Sequence, residues 1–227
     1  MTKLIKFIPY TSDDQYLPSI EVPKPSVNFI PEWWKKQDLK AGTEMFNDLS
    51  FKACVPFLDS LISGYMIYTH QDIVVSQDNK GNPVLSWPIG PDPAVIRSVY
   101  QNLPVPAGHS DSHFAWKITF GFELPKKYSI LITHPLNRFD LPFTTVSGIV
   151  DEGVPWGGTF TFWIKENFEG VIPKGTPIAQ MIPFKGENWK SEKADYLIEY
   201  AKIKAHDRMT IISGYYKKFI HRKKKFE

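Results

Sequence analysis

The chain has 227 residues, of which 42% are hydrophobic and 22% charged, and its formal net charge is +3. This length predicts one domain, with an appended subdomain, and a core large enough to need no covalent staples. A single cysteine, Cys54, excludes an intrachain disulfide, and so small a charge excess argues against nucleic acid as a partner.

Residues 1–50 read as an N-terminal arm. Five prolines fall before Lys36, and Val22–Ser26 is expected to be extended. Ile30–Lys36 reads as one helical turn opened by Pro31. Trp33 and Trp34 then project about 100° apart on the helix, so one packs inward and the other sits at the rim. A partner-binding anchor is the other use of such a pair.

Residues 51–184 read as a β-domain. Pro56 starts a short helix that Gly64 ends. Tyr65–Val75 is apolar and β-branched and predicts one strand. Gln77–Pro83 is a turn and Val84–Trp87 the returning arm of a hairpin. Further strands are predicted over Phe114–Phe120, Ser129–Thr133, Thr144–Val150, Thr159–Ile164 and Ile178–Ile182, with a turn at Pro173–Gly175. Strands recurring roughly every 10 to 15 residues predict an antiparallel barrel or sandwich.

Residues 185–227 read as a helical C-terminal extension. Ala194, Leu197, Ile198, Ala201 and Ile203 form a stripe of helical spacing. The closing His221–Lys225 is a basic tail, read as a solvated terminus or as favourable charge at a helix end. No apolar run approaches the roughly 20 residues of a bilayer span. The N-terminus lacks a signal-type apolar region. A soluble cytoplasmic protein with no membrane partner is expected.

His109-Ser110-Asp111-Ser112-His113 is the most metal-like cluster. A His-x-Asp pair with His134 has the composition of the facial triad of a non-haem iron oxygenase. The same residues also suit a polar turn before the Phe114 strand, which is the preferred reading, so no metal or cofactor is assigned. Cys54 has apolar neighbours and reads as a buried structural thiol. No phosphate loop, dinucleotide fingerprint or nucleophile elbow is present.

In order, a turn at Gly148-Ile149-Val150-Asp151, an alternating strand and a turn at Gly175-Thr176-Pro177-Ile178-Ala179-Gln180 resemble the core of the dUTPase and dCTP-deaminase family. That resemblance implies a β-clip fold centred on residues 128–184. It implies a water-activating base at Asp151 and a phosphate-side role for Gln180. It also implies a phosphate-gripping loop at Thr133, Asn137 and Arg138, and ligands held between subunits of a homo-oligomer. The chain departs from the family in three places. Val154 stands where a sugar-stacking tyrosine is usual, the phosphate-gripping arginine is gone unless Arg138 substitutes, and the glycine-rich C-terminal motif is missing.

The whole chain, through Ile30–Lys36, Lys52–Asp59, Gly64-Tyr65, Pro135–Phe143, Gly148–Asp151 and Gly175–Phe184 with Trp189, resembles a family common in tailed phages of marine cyanobacteria and found in some bacteria. This implies a phage or microbial setting, in host cytoplasm or virion. The favoured expectation is a non-enzymatic interaction or structural protein whose partner is another protein or itself. A nucleotide or small-molecule hydrolase using Asp151 is the alternative, and an iron oxygenase the second alternative.

Overall fold

The β-branched and aromatic runs form strands in the computed structural model of the chain, which describes residues 3–10, 16–17, 20–41, 48–88, 90–97, 103–154, 156–193 and 216–227. In chain order the strands are β1 (Lys6–Pro9), β2 (Lys24–Pro25), β3 (Lys40–Ala41), β4 (Asp48–Leu49), β5 (Tyr65–Tyr68), β6 (Ile73–Gln77), β7 (Pro83–Ser86) and β8 (Ala94–Ile96). They continue as β9 (His109–Lys117), β10 (Phe120–Glu123), β11 (Tyr128–Thr133), β12 (Phe143–Thr145), β13 (Gly148–Asp151), β14 (Gly153–Val154), β15 (Thr159–Lys165), β16 (Gly170–Ile172) and β17 (Pro177–Lys185). The helices among the described residues are short: α1 (Glu32–Lys36), α2 (Val55–Ile62), 3-10 turns at Ser26–Phe29 and Phe51–Ala53, and a π-helical turn at Tyr216–Ile220. The protein is therefore mostly β, with antiparallel sheets. None of the described helices is long and apolar enough to cross a membrane.

The chain folds as two units, each drawn from two stretches: Met1–Pro25 with Gly64–Gly186, and Ser26–Ser63 with Glu187–Glu227. The first unit holds a five-stranded sheet in the order β13-β11-β17-β5-β2 and a four-stranded sheet in the order β12-β15-β9-β8. Two three-stranded sheets, β1-β10-β14 and β16-β6-β7, complete it.

The core of this unit is aromatic. Trp116 of β9 stacks on Phe162 of β15 at 3.6 Å, and Phe143 of β12 meets the Trp116 ring edge-on at 5.0 Å. All three are fully buried, and burying a ring of this size contributes about 1.5–3 kcal/mol. The Trp116 indole N–H needs a partner there. It donates to the Thr145 hydroxyl at 3.0 Å, which donates in turn to the Ile178 carbonyl at 2.6 Å. This polar relay joins the four-stranded sheet to β17 of the five-stranded one.

Several expectations about single elements are corrected. Tyr65–Val75 is two strands in different sheets, β5 and β6. The connection between them is held by polar side chains: Thr69 donates to the Pro173 carbonyl at 2.8 Å and Asp72 accepts the Lys174 N–H at 2.7 Å. Thr144–Val150 is likewise split, because β12 pairs with β15 whereas β13 pairs with β11. His109–His113 is no turn but the first half of β9, since pairing with β15 overrides local turn preference. Gly148–Asp151 is a strand, and the turn follows it at Glu152 (φ 53°) and Gly153 (φ 115°). Gly153 has to be glycine, because a Cβ there would lie 2.3 Å from the Phe122 carbonyl oxygen. Cys54 is half-buried rather than buried.

The second unit is built around α2. Trp34 stacks on Phe57 at 5.3 Å and is buried, while Trp33 is the exposed ring of the pair, as helical spacing requires. Ser26, also buried, donates to the Ser63 carbonyl at 2.8 Å. Lys52 donates to the carbonyls of Lys35 and Gln37 at 3.0 and 2.8 Å. The basic tail is anchored here, with His221 3.1 Å from the Asp59 carboxylate and Lys224 donating to the same group. From residue 194 onward, the helix expected over Ser191–Lys204 lies outside the described residues.

Candidate functional site

Three of the residues singled out by sequence, Thr133, Asp151 and Gln180, fall on neighbouring strands of one sheet of the first unit. On β11, Thr133 stands opposite Gln180 of β17, and Ser129 stands opposite Asp151 of β13. Ser129 and Thr133 are four residues apart on one strand, about 13 Å at the strand rise. Thr133 and Gln180 are therefore together, and Asp151 is at the other end of the ladder.

Each of these side chains has a partner within the protein. Gln180 is fully buried, and its side-chain oxygen accepts the Leu136 N–H at 2.9 Å. Thr133, also buried, is 2.7 Å from the Ser147 hydroxyl. Asn137 takes φ 59° in a turn closed by the Arg138 N–H to Pro135 carbonyl bond at 3.2 Å. Asparagine tolerates that left-handed conformation, which accounts for it at this position. Arg138 is buried and grips Asp140 through two bonds of 2.9 Å. Asp151 is exposed, and the Ser129 hydroxyl donates to it at 2.6 Å.

His134 completes the loop. Its Nδ1 accepts the Thr145 N–H at 3.3 Å, so Nε2 carries the proton and donates to the Arg138 carbonyl at 3.2 Å. Burial holds the imidazole below its ordinary pKa, opposed by the bond to the Arg138 carbonyl. The ring is a neutral brace with both nitrogens engaged, which removes it as the third ligand of an iron site. His109 is similarly committed: Nδ1 lies 3.1 Å from the Ala107 carbonyl, which can only accept, and Nε2 lies 2.9 Å from the Thr144 hydroxyl. His113 faces Trp163 across the ladder, with ring centroids 6.1 Å apart. Among the described residues no three His, Cys, Asp or Glu side chains converge as metal ligands.

The structure does place His109 and Asp111 together, but in the wall of a polar recess of about 250 Å³. The opposite walls are the β6–β7 hairpin at Gln77 and Asn82 and the turn after β15 at Glu166, Asn167 and Phe168. Sequence reasoning missed these residues, because they lie on separate turns some 30 to 90 positions apart with no motif joining them. The clustered polarity of His109–Ser112 was the one available signal.

Comparison with known proteins found no matching family model and no matching curated protein.

Proposed function

We propose that the chain is a non-enzymatic interaction or structural protein of phage type, built on a β-clip-like domain and acting as a homo-oligomer. The observation that supports this reading is Gln180. A fully buried amide whose oxygen holds the Leu136 backbone serves the loop, and Arg138 beside it is engaged by Asp140. A phosphoryl-transfer site depends on groups held in register around one ligand. Here Asp151 is about 13 Å along the ladder from the other candidates.

Self-association is supported by β13. It is the edge of its sheet and carries Ile149 with 64% of its surface exposed. An open edge with an apolar side chain is a template for pairing with another strand. A second reading, hydrolysis through Asp151, is favoured only by that residue's exposure and its orientation by Ser129.

Two measurements test the reading. Light scattering on the purified full chain should give more than one copy per particle, with Ile149→Lys shifting it toward the monomer. Phosphate release from dUTP or dCTP with magnesium should stay at background. Turnover that disappears in Asp151→Ala would overturn the non-enzymatic reading, and a strictly monomeric protein would overturn the oligomer.

A further inference from the structure

The recess between the β6–β7 hairpin, the start of β9 and the turn after β15 is not absorbed by that reading. We propose that it is a binding site for a neutral saccharide, taking one sugar ring at a time. The inference uses different side chains from those above and holds whether or not the chain self-associates.

The chemistry of the lining carries it. Among the described residues the side chains of Gln77, Asp111, Glu166 and Asn167 are left without a hydrogen-bond partner while lining one recess. Two are amides, which donate and accept, and two are carboxylates, which accept from two hydroxyls at once. A sugar hydroxyl both donates and accepts, so a ring of hydroxyls meets both kinds. Phe168, half-buried in the same wall, supplies an apolar aromatic platform suited to the C–H face of a sugar ring.

The hairpin side is set before any ligand arrives. Asp78 accepts the N–H groups of Lys80 and Asn82 at 2.8 and 2.9 Å and the Asn82 side-chain amide at 3.0 Å. That fixes the Asn82 amide through its nitrogen and leaves its oxygen as the remaining acceptor. A preordered polar wall lowers the cost of binding.

Competing ligand classes fit less well. A phosphate or other anion would meet the carboxylates of Asp111 and Glu166. These two carboxylates outnumber the one ammonium in the lining, Lys165, which also donates to the Phe139 carbonyl at 2.7 Å. A metal ion lacks a converging set of ligands among the described residues. An apolar ligand would cover carboxylates and amides without satisfying them, which is costly. The volume, about 250 Å³, lies just under the usual small-ligand range of roughly 300–1,000 Å³. This suits a single ring, with any further sugars outside.

The test is saturation-transfer NMR on the full chain with glucose, galactose, mannose and N-acetylglucosamine, followed by a glycan array. At least one sugar should show transfer with a dissociation constant of about 1 mM or tighter. Phe168→Ala and Asp111→Ala should each weaken it by about tenfold or more. Trp156→Ala, outside the recess, should leave it unchanged. Asp111 is exposed, so its variant decides the matter even if Phe168→Ala fails to fold. No signal from any sugar or array glycan overturns the proposal, as does binding undiminished in both recess variants. Binding abolished by EDTA also overturns it, because the sugar would then be read through a metal.

Discussion

Gln180→Leu separates a structural from a ligand-binding role for the most buried candidate. Leucine fills nearly the same volume, so cavity and overpacking effects are small. Among what is lost is the acceptor for the Leu136 N–H, 2.9 Å away. Leaving a buried donor unsatisfied costs about 1–3 kcal/mol. Leu136 is only half-buried, so water relieves part of this and the lower half of that range applies. For a chain of this size each kcal/mol moves the thermal midpoint by about 2–4 °C, which gives a fall of about 2–8 °C, measured by calorimetry. Gln180→Glu sharpens the test. It keeps an acceptor oxygen but buries a carboxylate, whose folded-state pKa is raised. Its stability should be present at acid pH and be lost as pH rises through that raised value. If Gln180→Leu melts with the parent protein, the amide is not holding the loop. Gln180 would then no longer speak against catalysis.

Two further outcomes follow from the same unit. Thr145→Val strips the relay between the Trp116 indole and the Ile178 carbonyl, leaving two buried groups unpaired at about 1–3 kcal/mol each; urea unfolding followed by tryptophan fluorescence should show a larger loss than Gln180→Leu. His134, whose pKa is lowered from 6.5 by burial, stays neutral in the fold while the unfolded chain takes up a proton. Its stabilisation is therefore complete above pH 6.5 and is lost as pH falls below that value toward the folded pKa. The drop in unfolding free energy between neutral pH and pH about 5 should be smaller in His134→Gln than in the parent, and an equal drop would show that the imidazole is not the group responsible.

Sequence pattern revealed strands where one face is apolar. Thr159–Ile164 alternates in sequence and β15 is found over Thr159–Lys165, although Thr161, Phe162, Trp163 and Ile164 are all buried, so both of its faces are covered. The boundary of α2 followed from Pro56 and Gly64, and Gly64 takes the left-handed φ of 71° expected past a helix end. The corners were not legible. Val146 and Ser147 look like strand residues, yet there the chain leaves β15 and joins β11. Nothing local marks such a change of sheet, because it is decided by which neighbour each half pairs with. The His109–His113 stretch misled for a related reason: its polarity is that of a turn, and cross-strand pairing with β15 makes it a strand. At the candidate site, the motifs gave Thr133 and Gln180 separate ligand-side roles, and that the two stand opposite each other was not foretold. Their burial and the separation of Asp151 depended on the register of three strands, which no motif carries.

The order of strands in the five-stranded sheet has a consequence for how the protein is made. Tyr65 of β5 pairs with Met181 of β17, so its partner is translated about 115 residues later, or roughly 6–23 s at 5–20 residues per second. During that interval Tyr65, Met66 and Ile67, all buried in the finished protein, have only the two residues of β2 available on their other side. A nascent chain thus exposes an apolar strand for seconds and invites chaperones, or unwanted pairing with another nascent chain. A denatured full-length chain has every strand present from the first moment of dilution. Recovery from the ribosome and recovery from urea should accordingly respond to different conditions, the first to translation speed and the second to protein concentration.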